Sequence, residues 1–268
     1  MRANLKKGIY ILPSFFTCAN MAFGVLSMVS SVDGYFMRAA WTLVFALGCD
    51  ILDGRIARMT HTTSDFGLEL DSLSDLVSFG IAPAMMIYQL ALRNMGRVGV
   101  AIAVLFILCS ALRLARFNVM AQRNIPLENF KGLPTPASAG VLVSFVLSYE
   151  LLVPEGTALN FRTIDLLQKQ MPAFFKAMPI VMVALSFLMV SNVPYYSFKR
   201  LKFSRPAAIR MLVMVIVLVL LIAVYPQNIF FIIFTVYALS GILMVCKKSV
   251  LKKRGKKGRK PEIPVSGA

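Results

Sequence analysis

The sequence predicts an all-α fold: a polytopic integral membrane helix bundle of about eight transmembrane helices with both termini cytoplasmic. Three observations carry that prediction. Mean hydropathy is +0.73 and 58% of the 268 residues are hydrophobic, more than a soluble core would use. Apolar runs of about 20 residues recur along the chain, the length that crosses a hydrocarbon layer of about 30 Å. Basic residues gather at alternate turns between those runs.

The runs fall at 12–32, 36–58, 72–92, 96–122, 133–153, 173–193, 207–225 and 228–246. The first has no small-residue cleavage site and is interrupted by polar Thr17 and Asn20, so it reads as a retained span and not as a signal peptide. The second and third carry aspartates near their ends and should lie inside the bundle, because a charge facing lipid is costly. Four segments follow: a basic juxtamembrane stretch at 1–11, a membrane domain at 12–195, a carboxy-terminal helix pair at 196–246 and a basic tail at 247–268. Glycines, prolines and charges in the tail favour disorder.

With an even number of spans, both termini share one side. Counting helix-end arginines, 23 of the 29 basic residues fall on that side and six on the other, which makes it cytoplasmic. The end of the second span and the start of the third open to the same side. A net charge of +17 would suit nucleic acid if it were spread over a folded face. Nine basic residues instead crowd into 247–260, directly after the last span, so no nucleic-acid role is expected. Such a tail is attracted to an anionic lipid bilayer, or serves only to set topology. Cys18, Cys49, Cys109 and Cys246 show no CxxC spacing and read as small buried fillers, not as a disulfide or zinc site.

Chemistry is concentrated in one passage. Asp50 and Asp53 are i,i+3 neighbours, and Asp71 and Asp75 are i,i+4 neighbours, so each pair shares a helix face. The 17 residues between Asp53 and Asp71 hold a helix end, a turn and a new helix start. Carboxylates facing one another at low dielectric repel strongly, so a cation should sit among them. Oxygen ligands favour a divalent ion, Mg2+ or Mn2+, and chemistry on a phosphate group follows.

These residues also carry a resemblance. Asp50, Asp53, Gly54, Ala57, Arg58, Gly67, Asp71 and Asp75 match every fixed position of D-x-x-D-G-x-x-A-R-x8-G-x-x-x-D-x-x-x-D, the motif of the CDP-alcohol phosphatidyltransferases. The wider resemblance runs from about Leu12 to the region of Asn192 and covers the membrane domain. Ser78-Phe79-Gly80-Ile81-Ala82-Pro83-Ala84, Ala115-Arg116-Phe117-Asn118 and Gly132-Leu133-Pro134-Thr135-Pro136 resemble the phosphatidylserine synthase branch.

The resemblance implies transfer of the phosphatidyl group of CDP-diacylglycerol to the hydroxyl of L-serine, with release of CMP, in phospholipid biosynthesis at the cell membrane. It implies that Asp50, Asp53 and Asp71 hold the metal, and that Asp75 helps bind it or a second ion and acts as general base. CDP-lipid binding would fall to Asp50, Asp53, Gly54, Ala57, Arg58 and Gly67. The small Gly54 and Ala57 would let a nucleotide approach the helix, and Arg58 would meet phosphates or tie down a carboxylate. The family also implies a homodimer.

For the acceptor, Arg113 and Arg116 have two readings: clasping the serine carboxylate, or snorkelling to the interface. The segment from Gly132 to Pro136 either shapes the acceptor pocket or is a helix entry with Pro136 in its first turn. Asp65 and Glu69 read as solvated acids near a helix start. Within the family the alternative acceptor is one such as glycerol 3-phosphate, which should call for more basic residues than Arg113, Arg116 and Arg123. A membrane cation transporter is the alternative of another class, but the carboxylates lie near one membrane face and no broken helix pair marks the midplane.

Overall fold

A hairpin of two long helices organises the amino-terminal half of the computed structural model, which describes residues 2–60, 64–122, 130–148, 172–195 and 229–241. Helix α1 spans Arg2–Val32 and α2 spans Phe36–Thr60. They are joined by a turn in which Tyr35 N–H donates to the Ser30 carbonyl at 2.8 Å and Gly34 N–H to the Ser31 carbonyl at 3.2 Å. That double bond is a Schellman ending, and it needs a left-handed residue, supplied by Gly34 at φ 83°. Across the hairpin, Ser27 Oγ donates to the Ala39 carbonyl at 2.9 Å. Phe36, Ala39, Ala40, Leu43, Ala46 and Asp53 of α2 are buried on one face, while Phe45, Ile51 and Leu52 are exposed. The second span is therefore only half enclosed.

The next rod, Asp65–Met95, is continuous but not uniform. It begins as α3 (Asp65–Asp75), capped by Ser64, whose Oγ accepts from Gly67 N–H at 3.0 Å. It widens into a π turn at Leu76–Ile81, returns to α-helix as α4 (Ala82–Ile87), widens again at Tyr88–Leu92 and tightens at Arg93–Met95. Pro83 explains the first widening: it lacks an N–H, and its ring would strike the carbonyl one turn back in a regular helix. This rod is the central element. Of its most apolar window 61% is buried, against 33% for the corresponding windows of Pro13–Val32 and Arg97–Gln122.

Helix α5 (Arg97–Gln122) packs against the rod and against α7 (Pro172–Val190), and α6 (Thr135–Ser148) is buried along almost its whole length. A short helix, α8 (Ile229–Gly241), closes the described part. The expectation of helices alone needs one addition. Phe130–Lys131 pairs antiparallel with Pro194–Tyr195 where the chain enters α6 and leaves α7, and backbone groups freed from both helices satisfy each other there. Gly132 N–H extends the tie to the Val193 carbonyl at 2.9 Å, in a left-handed conformation at φ 87° where a Cβ would strike the Met189 carbonyl.

Helices thus occupy seven of the eight expected spans, and the span at 207–225 lies outside the described residues. Among the described residues, three helices are long and apolar enough to cross a membrane, Pro13–Val32, Asp65–Met95 and Arg97–Gln122. The protein is a helical membrane protein. The main apolar core, with Phe36, Leu43, Met86, Ile87, Phe106, Leu142 and Met182, fills the half of the bundle away from the motif aspartates. Of the described cysteines only Cys109 is the buried filler expected; Cys49 is half-buried and Cys18 is exposed on the outer face of α1.

Candidate active site

Three helices converge on the carboxylates. The carboxy-terminal part of α2 delivers Asp50 and Asp53, and the first turns of the rod deliver Asp71 and Asp75. One oxygen from each of Asp50, Asp53 and Asp71 lies within 4.8 Å of the others. Three like charges so placed repel by about 3 kcal/mol per pair at an effective dielectric near 20. Asp53 is 4% exposed, and its Oδ2 is buried with no hydrogen-bond partner among the described residues. A buried orphan oxygen within an oxygen-only donor set is what a hard divalent cation requires, so the residues present fit Mg2+ or Mn2+.

Asp75 is not one of the three that meet within 4.8 Å, but its side chain shares a hydrogen bond with Asp50. It is buried, its charged neighbours are Asp50, Asp71 and Asp53, and Arg113 is the cation that offsets them. Asn20 Nδ2 donates to Asp75 Oδ1 at 3.5 Å.

A cleft of about 380 Å3 opens beside the trio, within the size range of small-molecule sites. Asp53, Gly54, Ala57 and Arg58 line it from α2, and Gly67 and Asp71 from α3. Nothing lies within 4 Å of where a Gly54 Cβ would be, so the helix backbone is open to a ligand there. Arg58 is exposed at the rim, and its Nε donates to the Gly54 carbonyl at 2.7 Å. Gly67 has a second task, giving its N–H to the Ser64 cap.

Pro13, Ser14 and Thr17 of α1 form the third wall. Those residues and Asn20 escaped the sequence reading. The signal was present, since Thr17 and Asn20 are the polar breaks in an apolar run, but only packing against α3 gives them a site to serve.

The two arginines of α5 diverge. Arg113 Nη1 donates to Thr135 Oγ1 at 2.8 Å, and its Nε is buried without a partner among the described residues. The same guanidinium neighbours Tyr237 of α8. Arg116 lies further out, with Nη2 donating to Asn192 Oδ1 at 2.8 Å. The entry of α6 thus holds Arg113 through Thr135, which a plain helix start would not do. Glu69 is not merely solvated: it accepts from Asn118 Nδ2 at 3.2 Å and Gln122 Nε2 at 3.4 Å, while Ser72 Oγ donates to Asn118 Oδ1 at 3.0 Å. These bonds tie α3 to α5 and hold Asp71 and Asp75 in register with Arg113.

Residues 10–168, more than half of the chain and including Asp50, Asp53, Asp71 and Asp75, match the family model described as CDP-alcohol phosphatidyltransferase. The chain belongs to the CDP-alcohol phosphatidyltransferase family. Among curated relatives, the CDP-diacylglycerol–serine O-phosphatidyltransferase of Helicobacter pylori (strain ATCC 700392 / 26695) is 34% identical over 238 residues, covering 88% of this chain and 91% of the relative. The protein of the same name from Bacillus subtilis (strain 168) is 30% identical over 190 residues, 70% of this chain and 92% of the relative. The archaetidylserine synthase of Methanothermobacter thermautotrophicus is 34% identical over 186 residues, 69% of each chain. Asn192 and Tyr237 lie beyond the part of this phosphatidyltransferase that the family model matches.

Proposed function

We propose that the protein transfers the phosphatidyl group of CDP-diacylglycerol to the hydroxyl of L-serine, forming phosphatidylserine and CMP in phospholipid biosynthesis. The carboxylate trio beside an open cleft carries the reading, and relatives named for serine transfer support the acceptor. A divalent cation, Mg2+ or Mn2+, held by Asp50, Asp53 and Asp71 would neutralise the pyrophosphate and the charge that develops on departing CMP.

The rest falls to the protein's own groups. The CDP-lipid lies in the cleft along Gly54 and Ala57, where small side chains admit it close to the helix. Arg58 at the rim meets its phosphates, and Gly67 keeps the opposite wall low. Asp75 takes the serine proton as the oxygen attacks the lipid-side phosphorus. Arg113, half-buried next to Asp75 with an Nε that has no partner among the described residues, receives the serine carboxylate, with Arg116 further out.

Arg113→Lys is expected to raise the KM for serine about tenfold or more and to leave that for CDP-diacylglycerol within about twofold, since a lysine cannot reproduce a bidentate fork. Steady-state kinetics with each substrate varied in turn would check this; equal changes in both KM values would remove Arg113 from the acceptor site. The substrate assignment is tested by CMP release from CDP-diacylglycerol with serine and glycerol 3-phosphate in competition. Serine should be consumed. Phosphatidylglycerol phosphate as the main product would keep the family and discard this acceptor.

The membrane reading extends the same proposal. The chain crosses the cell membrane about eight times, with both termini and the carboxylate cleft facing the cytoplasm. The catalytic domain is 12–195, the pair at 196–246 is appended to it, and the basic segments at 1–11 and 247–268 lie against anionic lipid. The enzyme works as a homodimer. The 23-to-6 distribution of basic residues supports the orientation. A cysteine at Ser64, after replacement of the native cysteines, should resist an impermeant thiol reagent in intact cells and react after lysis. Labelling in intact cells would invert the topology.

A further inference from the structure

Thr135 is fully buried at the start of α6, where a threonine ordinarily turns its hydroxyl to the backbone of its own helix. Here the hydroxyl meets another helix: its Oγ1 accepts from Arg113 Nη1 of α5 at 2.8 Å. The backbone that carries it is fixed on both sides. Ser138 Oγ donates to the Thr135 carbonyl at 2.8 Å and to Met189 Sδ at 3.1 Å, and Ser138 N–H to the Pro134 carbonyl at 3.0 Å. Just upstream, Leu133 N–H donates to the Leu188 carbonyl at 3.0 Å, which ties the entry of α6 to α7. Thr135 thus offers Arg113 an acceptor that cannot drift. The guanidinium it holds is planar, with Nε and Nη2 donating along one edge and Nη1 at the far corner. Arg113 Nε is buried with no hydrogen-bond partner among the described residues. The bond to Thr135 therefore pins one corner of a plane whose Nε edge is unspent.

We propose that Thr135 is a positioning residue for the acceptor: it sets the plane of the Arg113 guanidinium so that the Nε edge meets the carboxylate of serine. The proposal rests on the reading that Arg113 receives that carboxylate. A guanidinium binds a carboxylate through two parallel bonds only when the two planes are aligned. An arginine side chain has several rotatable bonds, and ordering them during binding would weaken the complex. Holding the far corner in advance removes that cost from serine binding. Stability alone would favour a partner at every buried N–H of Arg113. A firm bond at Nη1 beside an Nε without one suits a ligand that arrives with its own oxygens. Thr135 acts through Arg113, and only its hydroxyl is needed for that.

The test uses full-length protein in detergent–lipid micelles with Mg2+, and measures phosphatidylserine formation with serine and CDP-diacylglycerol varied in turn. Thr135→Val, which keeps the shape and removes the hydroxyl, is expected to raise the KM for serine about tenfold. The KM for CDP-diacylglycerol should stay within about twofold. Thr135→Ser, which keeps the hydroxyl, should hold the serine KM within about threefold of the parent. Thr135→Ala should behave as Thr135→Val, and the serine–alanine comparison stands even where the valine variant does not fold. In an Arg113→Lys background, Thr135→Val should add no more than about twofold, because no planar fork remains to orient. A parental serine KM in Thr135→Val and Thr135→Ala, beside a raised one in Arg113→Lys, would overturn the proposal alone. Equal increases in both KM values, or a full tenfold increase added to Arg113→Lys, would do the same. An unchanged serine KM in Arg113→Lys would overturn the acceptor reading and the proposal together.

Discussion

Asp50→Asn, Asp53→Asn and Asp71→Asn are each expected to abolish phosphatidyl transfer while the protein still inserts and folds. The three carboxylates come within 4.8 Å of one another, and Asp53 keeps a buried oxygen with no partner among the described residues. Such an arrangement is unfavourable by itself and becomes favourable around a cation. An amide in place of one carboxylate removes a ligand charge, and the loss of transition-state stabilisation should reach several kcal/mol, on the order of 10²-fold or more in rate. CMP release at saturating Mg2+ measures it, and near-normal turnover in any of the three would remove that residue from the metal site. Stability supplies a second readout of opposite sign. In chelator each substitution relieves repulsion of about 3 kcal/mol per pair and should raise the melting temperature. Added Mg2+ should then stabilise the variants less than the parent, because binding to the native state is what raises its stability.

Asp75→Asn should eliminate transfer to serine and spare CDP-lipid binding. Asp75 lies one helical turn beyond Asp71 but outside the trio, so removing its charge leaves the other three oxygen donors in place. What is lost is the proton acceptor, for which a loss of about 10²- to 10⁴-fold is ordinary. Equilibrium binding of CDP-diacylglycerol in Mg2+ separates the two roles. If binding disappears along with transfer, Asp75 is a metal ligand first, and the base must be sought elsewhere.

The motif made most of the carboxylate site legible before any coordinates. Spacings of three and four placed Asp50 with Asp53, and Asp71 with Asp75, on shared helix faces, and the gap between the pairs holds the helix end and the Ser64 cap. Local periodicity is enough for such statements because one helix determines them. Periodicity did not say which of the four carboxylates converge. That depends on how α2 crosses the rod, and the outcome is a trio with Asp75 hydrogen-bonded to Asp50 at its side.

The residues that escaped are those whose meaning is a partner distant in sequence. Thr17 and Asn20 look like blemishes in an apolar run until α1 packs on α3, 55 residues away for Asn20 and Asp75. Glu69 looks solvated until Asn118 and Gln122 reach it from α5. Arg113 and Arg116 are equivalent as a sequence pair three apart, yet one is turned inward to Thr135 and the other outward to Asn192.

The sequence by itself determined a helical membrane protein of the CDP-alcohol phosphatidyltransferase family, with its carboxylates on two consecutive helices. Hydrophobic length and helical spacing are properties of single segments, and the bilayer and backbone geometry impose them one segment at a time. Only the tertiary structure decided which side chains share the cleft, which arginine faces Asp75 and which buried amide meets it. Those follow from the packing of helices far apart in the chain, and side-chain volumes at the crossings set that packing, as where Gly24 lets α1 close on Ser78.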